Sequence, residues 1–464
     1  MTASITRPAA LAEWSVETRR GDAAFAGLAA GWDGLHARCA GASPFQAYAW
    51  QESWWRSYGT RGALRVHLIR HGGELVAAAA FELRHGILRP LGGGLADFTD
   101  VLLDDEHAAA AAQVLATALA RERGWHVADF GEARPGAATA SRLAPAWPGR
   151  TFETPGSQCL ELAAGDLDDL VRDLPAHSRK TVRRRLNQLR KAGPSITAVD
   201  AAATGPAVAA LLDLHERQWQ GRGGNPAHRT PAFAGHLTRS VAAMIGSGRA
   251  ALLEYRFDGD LLASSLLLIG NDLVGGYFFG VDPALRGRVD VTTMLLADAL
   301  PLAHRLGLPT MSMLRGDEAH KSTWRPVPVR NRRLLLVRPG SVRGAAYARG
   351  VLLVRRLVAE AKTRTPWVKS VRDRLRWRGP FALLPIGKRG RVVRDDGPPR
   401  RRTGTPAPLP PGEAPLPRGK QSKAPAPRSA PAALPGGKQS KAPAQGSAPA
   451  ALPMGKQSKG PVEP

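Results

Sequence analysis

A chain of 464 residues, 43% of them hydrophobic, is long enough for two domains that each bury a core. The net charge of +26 and pI near 11.2 point toward nucleic acid, but the charge is unevenly spread. After Gly340 there are 26 Lys/Arg against 6 Asp/Glu, and before it 39 against 33, so the first 340 residues are near balance and no specific nucleic-acid partner is expected.

Near the start, Ser43-Pro44-Phe45-Gln46 reads as a helix entry, with Ser43 as cap and Pro44 in the first turn. Trp50 and Trp54 then share a face and read as core. Two hairpins echo each other: Leu64–Ile69 with Leu75–Leu83, and Ala251–Tyr255 with Leu261–Ile269, each closed by a short Gly-containing turn. The pattern predicts one α/β module occurring twice. Between the copies, Ser178–Lys191 reads as a helix with seven Lys/Arg and no acid, its narrow apolar stripe being Val182, Leu186 and Leu189. It serves either as a cationic face for an anionic acceptor or as a solvated connecting helix.

Leu211–Gly224 holds a second helix, in which His215 and Trp219 lie one turn apart and share a face. Leu273–Gly280 reads as a strand whose Gly275-Gly276 pair marks a bulge or a close ligand approach. The adjacent Gly276, Tyr277 and Phe278 are therefore candidate donor contacts. A loop follows with Arg286-Gly287-Arg288, then a helix over Thr292–Leu306 capped by Asp290 or Thr292, with Pro301 predicting a kink or break. Free amides from Val281 to Thr292, including those of Gly287, Val291 and Thr292, together with Arg286 and Arg288, form a candidate phosphate cradle.

The next strand ends in Arg315-Gly316-Asp317-Glu318-Ala319-His320-Lys321, with Trp324 beyond. Asp317, Glu318 and His320 are candidate general bases, and Lys321 a group that steadies an oxyanion. Arg315 is placed to hold an anionic acceptor, and Trp324 to stack on a sugar or adenine face. Nothing here calls for a metal.

Ser341–Arg394 is basic and partly amphipathic, with Tyr347, Val351, Val354 and Val358 at helical spacing. It either docks on the preceding domain or lies on an anionic membrane surface. From Asp395 the composition turns to Pro, Ala, Gly and Lys, and Gly-Lys-Gln-Ser-Lys recurs at Gly419, Gly437 and Gly455, which predicts a disordered tether. The expected boundaries are 1–155, 156–340, 341–394 and 395–464. Cys39 and Cys159 show no disulfide framework, Met1–Ala10 lacks a secretory pattern, and no uncharged apolar run approaches ~18 residues, so a cytoplasmic protein is expected, with the inner membrane face as its peripheral site.

Taken in order, the Ser-Pro-Phe-Gln…Trp…Trp-Trp start, the Leu-His-Glu-Arg-Gln-Trp helix and the Arg-Gly-Asp-Glu-Ala-His-Lys-Ser-Thr-Trp ending resemble the CelD/BcsL-type acetyltransferases of the GNAT superfamily, related to the Fem-type transferases. The resemblance covers roughly residues 10 to 338. It implies an α/β (α+β) fold of two tandem GNAT-like modules, each a mixed, mostly antiparallel sheet flanked by helices. It also implies acetyl-CoA as donor in the second module, a saccharide or small-molecule acceptor, and a role near exopolysaccharide synthesis. The family commonly carries Tyr where this chain has His320, and Gly at the helix start where this chain has Asp290-Val291-Thr292. The Arg-x-x-Gly-x-Gly/Ala pattern of GNAT proteins is matched only by Arg286 and Gly287. Direct acyl transfer is the leading expectation. Aminoacyl transfer of the Fem type and a non-catalytic scaffold are the other readings.

Overall fold

The structure, a computed structural model, describes residues 14–364 apart from 222–223 and 317–318. Thirteen strands among them form one mixed sheet in the order β1-β2-β3-β4-β6-β13-β7-β12-β11-β10-β9-β8, with β5 (Leu102–Leu103) paired to β3. The first copy runs β1 (Trp14–Arg20), β2 (Leu64–His71), β3 (Glu74–Arg84), β4 (Ile87–Pro90) and β6 (Val127–Ala133). The second runs β8 (Ser195–Ala198), β9 (Ala250–Phe257), β10 (Asp260–Ile269), β11 (Leu273–Val281) and β12 (Thr310–Arg315). Each copy is antiparallel up to its fourth strand and closes with one parallel pair, β4–β6 or β11–β12. Apolar strand runs on either side of a Gly turn set both hairpins, so the expected echo is present.

At the centre the copies trade strands. β7 (Thr151–Ala163) follows the first copy in sequence but pairs with β12 of the second, while β13 (Val327–Val337) leaves the second copy and pairs with β6 of the first. β7 and β13 also pair with each other along most of their length. Helices occupy equivalent places: α1 (Ala29–Ala37) and α2 (Tyr48–Tyr58) in the first copy, α6 (Thr204–Trp219) and α7 (Pro231–Gly246) in the second. One core cluster joins Phe45, Trp50 and Phe98 to Leu211, Phe233 and Phe278, so the two copies share apolar interior. Trp50 and Trp54 are core residues, as the spacing predicts.

The remaining helices are α3 (Ala108–Arg121), α4 (Leu167–Asp173), the basic α5 (Ala176–Ala192), α8 (Val291–Arg305) and α9 (Val342–Arg364). Of the kink or break expected at Pro301, the break is absent: α8 continues through it. The near half of α9 docks: Ala348 is buried, and the Tyr347 hydroxyl donates to Asp129 at 2.8 Å. Farther along, Leu353, Val354, Leu357 and Val358 are exposed. Trp367, Trp377, Phe381 and the repeats from Asp395 lie outside the described residues. No helix among the described residues is long and apolar enough to cross a membrane.

Gly280 fixes how α6 sits on the sheet. A Cβ there would meet the His215 amide nitrogen at 2.5 Å and the Leu211 carbonyl at 2.6 Å, so the helix backbone rests directly on β11. Neither backbone group can swing aside. Gly280→Ala is expected to lower stability by about 1–3 kcal/mol, read as a shifted urea midpoint. Gly276→Ala, whose Cβ meets only the mobile end of Met311 at 3.3 Å, should lower it less.

Candidate active site

The site is built around a missing ladder. β11 and β12 pair only at Leu273–Thr310, Val274–Met311 and Gly275–Ser312, although β11 continues to Val281 and β12 to Arg315. Two irregularities force the strands apart. On β11, the register against β10 jumps between Phe278 and Gly276, leaving Tyr277 as the extra residue of a bulge. On β12, Leu314 adopts φ 54°, a left-handed conformation that strains a non-glycine residue, and its side chain reaches to 3.1 Å from where a Gly275 Cβ would stand. The Gly275-Gly276 pair thus does mark a bulge.

Helix α6 covers part of the open edge. Past the last pair with β12, the Phe279 carbonyl accepts from His215 Nδ1–H at 2.8 Å, and Gln218 Oε1 accepts from the Val281 amide at 3.2 Å. His215 also lies against the Phe278 ring, with centroids 4.2 Å apart. Since a carbonyl can only accept, Nδ1 carries the proton and Nε2 is left as an acceptor. His228 Nδ1–H fills it at 3.3 Å, and His228 Nε2 accepts in turn from Asn225 Nδ2–H at 3.2 Å. Two neutral imidazoles therefore satisfy the whole relay. Burial keeps them neutral by lowering both, with His228 brought down to about 4, helped by the repulsion the two rings would feel were both protonated.

This pair lines a cavity of about 330 Å³ between α6 and α7, together with Asp213, Glu216, Trp219 and Arg229. His215 and Trp219 are thus brought together as expected, their rings 6.2 Å apart. His228 is a residue the sequence reading missed. Its segment, Asn225-Pro226-Ala227-His228-Arg229-Thr230-Pro231, looks like turn punctuation, and only the fold brings it opposite His215.

The loop before α8 is less open than its sequence promises. The amides of Asp282, Leu285, Arg286, Arg288 and Val289 bond to backbone carbonyls, Ala284 N to the Asp282 carboxylate, and Val281 N to Gln218. Gly287, Asp290, Val291 and Thr292 are the amides without an acceptor among the described residues. Asp290 caps α8, as expected, by accepting from the Thr293 amide at 2.9 Å and hydroxyl at 2.7 Å, and it pairs with Arg185 of α5 at 3.4 Å. Arg288 pairs with Asp258 at 3.0 Å, and Arg286 is exposed with one nitrogen on the Gln218 carbonyl at 3.4 Å. A coenzyme diphosphate strung along the whole loop does not fit this pattern. One phosphate at the α8 N-terminus, held by the Gly287, Val291 and Thr292 amides with Arg286 beside them, does fit.

At the other rim, Arg315 does not wait for an acceptor. Its guanidinium pairs with Asp97, reaches Glu132 at 3.9 Å and donates to the Gly94 carbonyl at 2.8 Å, tying β12 to the first copy. Burial alone would lower this group, but Asp97 and Glu132 outweigh it and raise it. Trp324 is corrected as well: at 2% exposure it packs with Leu160, Val182, Leu186 and Met313, so it cannot stack on a substrate face. Lys321 is half-buried and donates from Nζ to the Met313 carbonyl at 3.3 Å, tethering the turn Ala319–Trp324 to β12. The Tyr277 ring packs on Trp50 and Phe45, and Phe278 is buried among His215, His228 and Phe233, so what these two offer a donor is backbone. Asp317 and Glu318 lie outside the described residues, as does the His320 side chain.

Residues 176–322 match the family model described as an acetyltransferase (GNAT) domain. That match gives the protein its class, an acyltransferase with a GNAT-like mixed sheet. No curated protein matches the chain's sequence. Solved structures similar to it include FemX (12% identity, 65% of this chain and 94% of that one, TM-score 0.48). L-PGS from Bacillus licheniformis is similar at 11% identity over 71% and 96% of the chains, TM-score 0.44. A tandem GNAT protein from the clavulanic acid biosynthesis pathway is similar at 17% identity over 70% and 100%, TM-score 0.37.

Three buried histidines carry a pH signature. Burial lowers His36 and His228 to about 4 and His236 to about 3, against 6.5 for the free side chain. The unfolded chain therefore binds more protons than the folded one between these values, and the stabilisation present above about pH 6.5 is lost as pH falls toward 4. Melting temperatures recorded from pH 7 to 4.5 should fall steadily. A flat profile would mean that these imidazoles take up protons in the fold as readily as in the unfolded chain.

Proposed function

We propose that the protein transfers an acyl group from acyl-CoA directly to an amine or hydroxyl of an acceptor held in the cavity between α6 and α7. The observation that carries this reading is the split after Gly275 and Ser312, which opens between a helix N-terminus with free amides and a neutral histidine pair anchored to the same strand. Bound coenzyme would supply an activated thioester. The amides of Gly287, Val291 and Thr292, with Arg286, would hold its phosphate. The β11 edge exposed by the bulge would align its chain.

The acceptor's proton has a receiver. An acceptor N–H or O–H that takes the place of the Asn225 amide would face His228 Nε2, a nitrogen that is unprotonated at neutral pH. His215 holds His228 in that tautomer because its own Nδ1–H is fixed on the Phe279 carbonyl. Glu216, Arg229 and Trp219 give the cavity the polar and aromatic lining that suits a saccharide or small polar metabolite. The likeness to CelD/BcsL-type acetyltransferases supports a saccharide acceptor and a place near exopolysaccharide synthesis. Lys321 acts here as a positioning residue for the turn that follows β12. The exposed Leu353, Val354, Leu357 and Val358 beside Arg355 and Arg356 support peripheral contact of α9 with an anionic membrane.

Aminoacyl transfer of the Fem type is the second reading, favoured by the exposed cations of α5. Acetyl-CoA separates the two: at a hundredfold excess over Kd it should stabilise the protein by about 2.7 kcal/mol, and no shift at millimolar coenzyme favours the second reading. Val291→Pro probes the cradle itself. Val291 is the first residue of α8 and Asp290 before it is extended (φ −83°, ψ 111°), so proline is tolerated while one phosphate-facing amide is deleted. Coenzyme affinity should fall about tenfold with the melting temperature of the free protein unchanged. His228→Gln should lower turnover by about 10²–10⁴ and flatten the acid limb of the pH–rate profile, and unchanged kcat would remove His228 from the chemistry.

A further inference from the structure

The near-neutral average of the first 340 residues hides a sharp concentration. Helix α5 alone carries Arg179, Lys180, Arg183, Arg184, Arg185, Arg190 and Lys191, and without it those 340 residues hold 32 Lys/Arg against 33 Asp/Glu. All the net positive charge of that region therefore sits on one helix. Val182 and Leu186 bury the opposite side of α5, which turns the cations outward. Among the described residues only Arg185 forms an ion pair, with Asp290, while the exposed Lys180, Arg183, Arg184 and Lys191 meet no carboxylate there.

Spacing turns this charge into a track. Arg179, Arg183, Asn187 and Lys191 form one row, and Lys180, Arg184 and Gln188 the next, each step rising about 6 Å along a strip about 18 Å long. All seven line an open groove of about 720 Å³. The strip also has a direction. Gln188 Nε2–H donates to the Gly287 and Arg288 carbonyls at 3.1 and 2.7 Å, so its far end abuts the loop before α8 and the strand split beyond.

We infer that α5 is a docking track for the phosphodiester backbone of a single-stranded nucleic acid, read without sequence preference. Two rows of donors repeating at the spacing of successive phosphates suit a linear polyanion. A single coenzyme phosphate needs far less than about 18 Å and has the α8 amides. A lipid surface is disfavoured because α5 exposes no large apolar side chain to insert. The same cations favour the aminoacyl-transfer reading, but the track rests on charge and geometry and is tested by RNA binding, apart from the coenzyme titration that decides the donor.

The test is fluorescence anisotropy of a short single-stranded RNA titrated with the full-length protein over a range of salt. The quadruple variant K180Q/R183Q/R184Q/K191Q should bind at least about tenfold more weakly, and its log Kd against log salt slope should fall by about 3, near 0.7 per lost phosphate contact. A matched tail variant, K420Q/K423Q/K438Q/K441Q, should lose clearly less. Equal loss in both variants, or none in the first, overturns the track. So does loss of binding to phosphatidylglycerol vesicles, or of acetyl-CoA affinity, with RNA affinity kept. Ultraviolet crosslinking of RNA to wild-type protein should label the peptide 176–192, and labelling confined to the tail contradicts the inference without reliance on any variant.

Discussion

The site depends on pairing that stops early. Two parallel strands normally continue until one ends, because each unpaired amide or carbonyl left in the interior is costly. Here β11 and β12 part after three residue pairs, and something must answer the groups released. Helix α6 does so in part, with His215 on the Phe279 carbonyl and Gln218 on the Val281 amide. That arrangement requires the helix to sit against the strand, and Gly280 is the residue that lets it. Bulge, glycine, helix and histidine pair thus form one chain of cause, running from backbone geometry to a polar cavity.

Electrostatics around the split are divided among elements from different parts of the chain. Arg185 of α5 balances the Asp290 cap on α8, and Arg315 of β12 answers Asp97 and Glu132 from the first copy. Cys159 lies within the latter group, and burial pushes its thiol up to about 12, aided by Asp97 and Glu132. This is the behaviour of an inert packing thiol rather than a nucleophile. Under the proposed reading, the histidine pair that would take the acceptor's proton is neutral, and Arg286 stays beside the amides that would face a phosphate. A transferase that joins an anionic donor to a neutral acceptor group benefits from that separation.

Much of the architecture is legible in the residues, because it rests on local rules. Apolar runs closed by Gly turns give both hairpins, Asp290 two residues before Thr292 gives a capped helix, and seven cations around a narrow stripe give α5. The misreadings come from where long-range contacts decide. Trp324 stands beside a polar run and resembles a stacking platform, yet α5 folds over it and makes it core. Arg315 reads as a free cation until Asp97, 218 positions earlier, meets it. His228 shows no periodicity at all, and its meaning comes from a 13-residue return of the chain to His215. In the loop before α8, the sequence shows which amides exist but not which ones are already bonded within the turn.

The traded central strands bear on how the chain is made. The sheet of the first copy takes its neighbour for β6 from Val327–Val337, so this ladder cannot form until nearly two hundred further residues have been synthesised. During that interval β6 presents an unpaired edge on the nascent chain, where residues emerge at roughly 5–20 per second. The first copy is therefore an unfinished body while the ribosome works, exposed to whatever strand meets it first. A chaperone requirement during translation, and poor solubility of any fragment ending before β13, follow from topology rather than from composition.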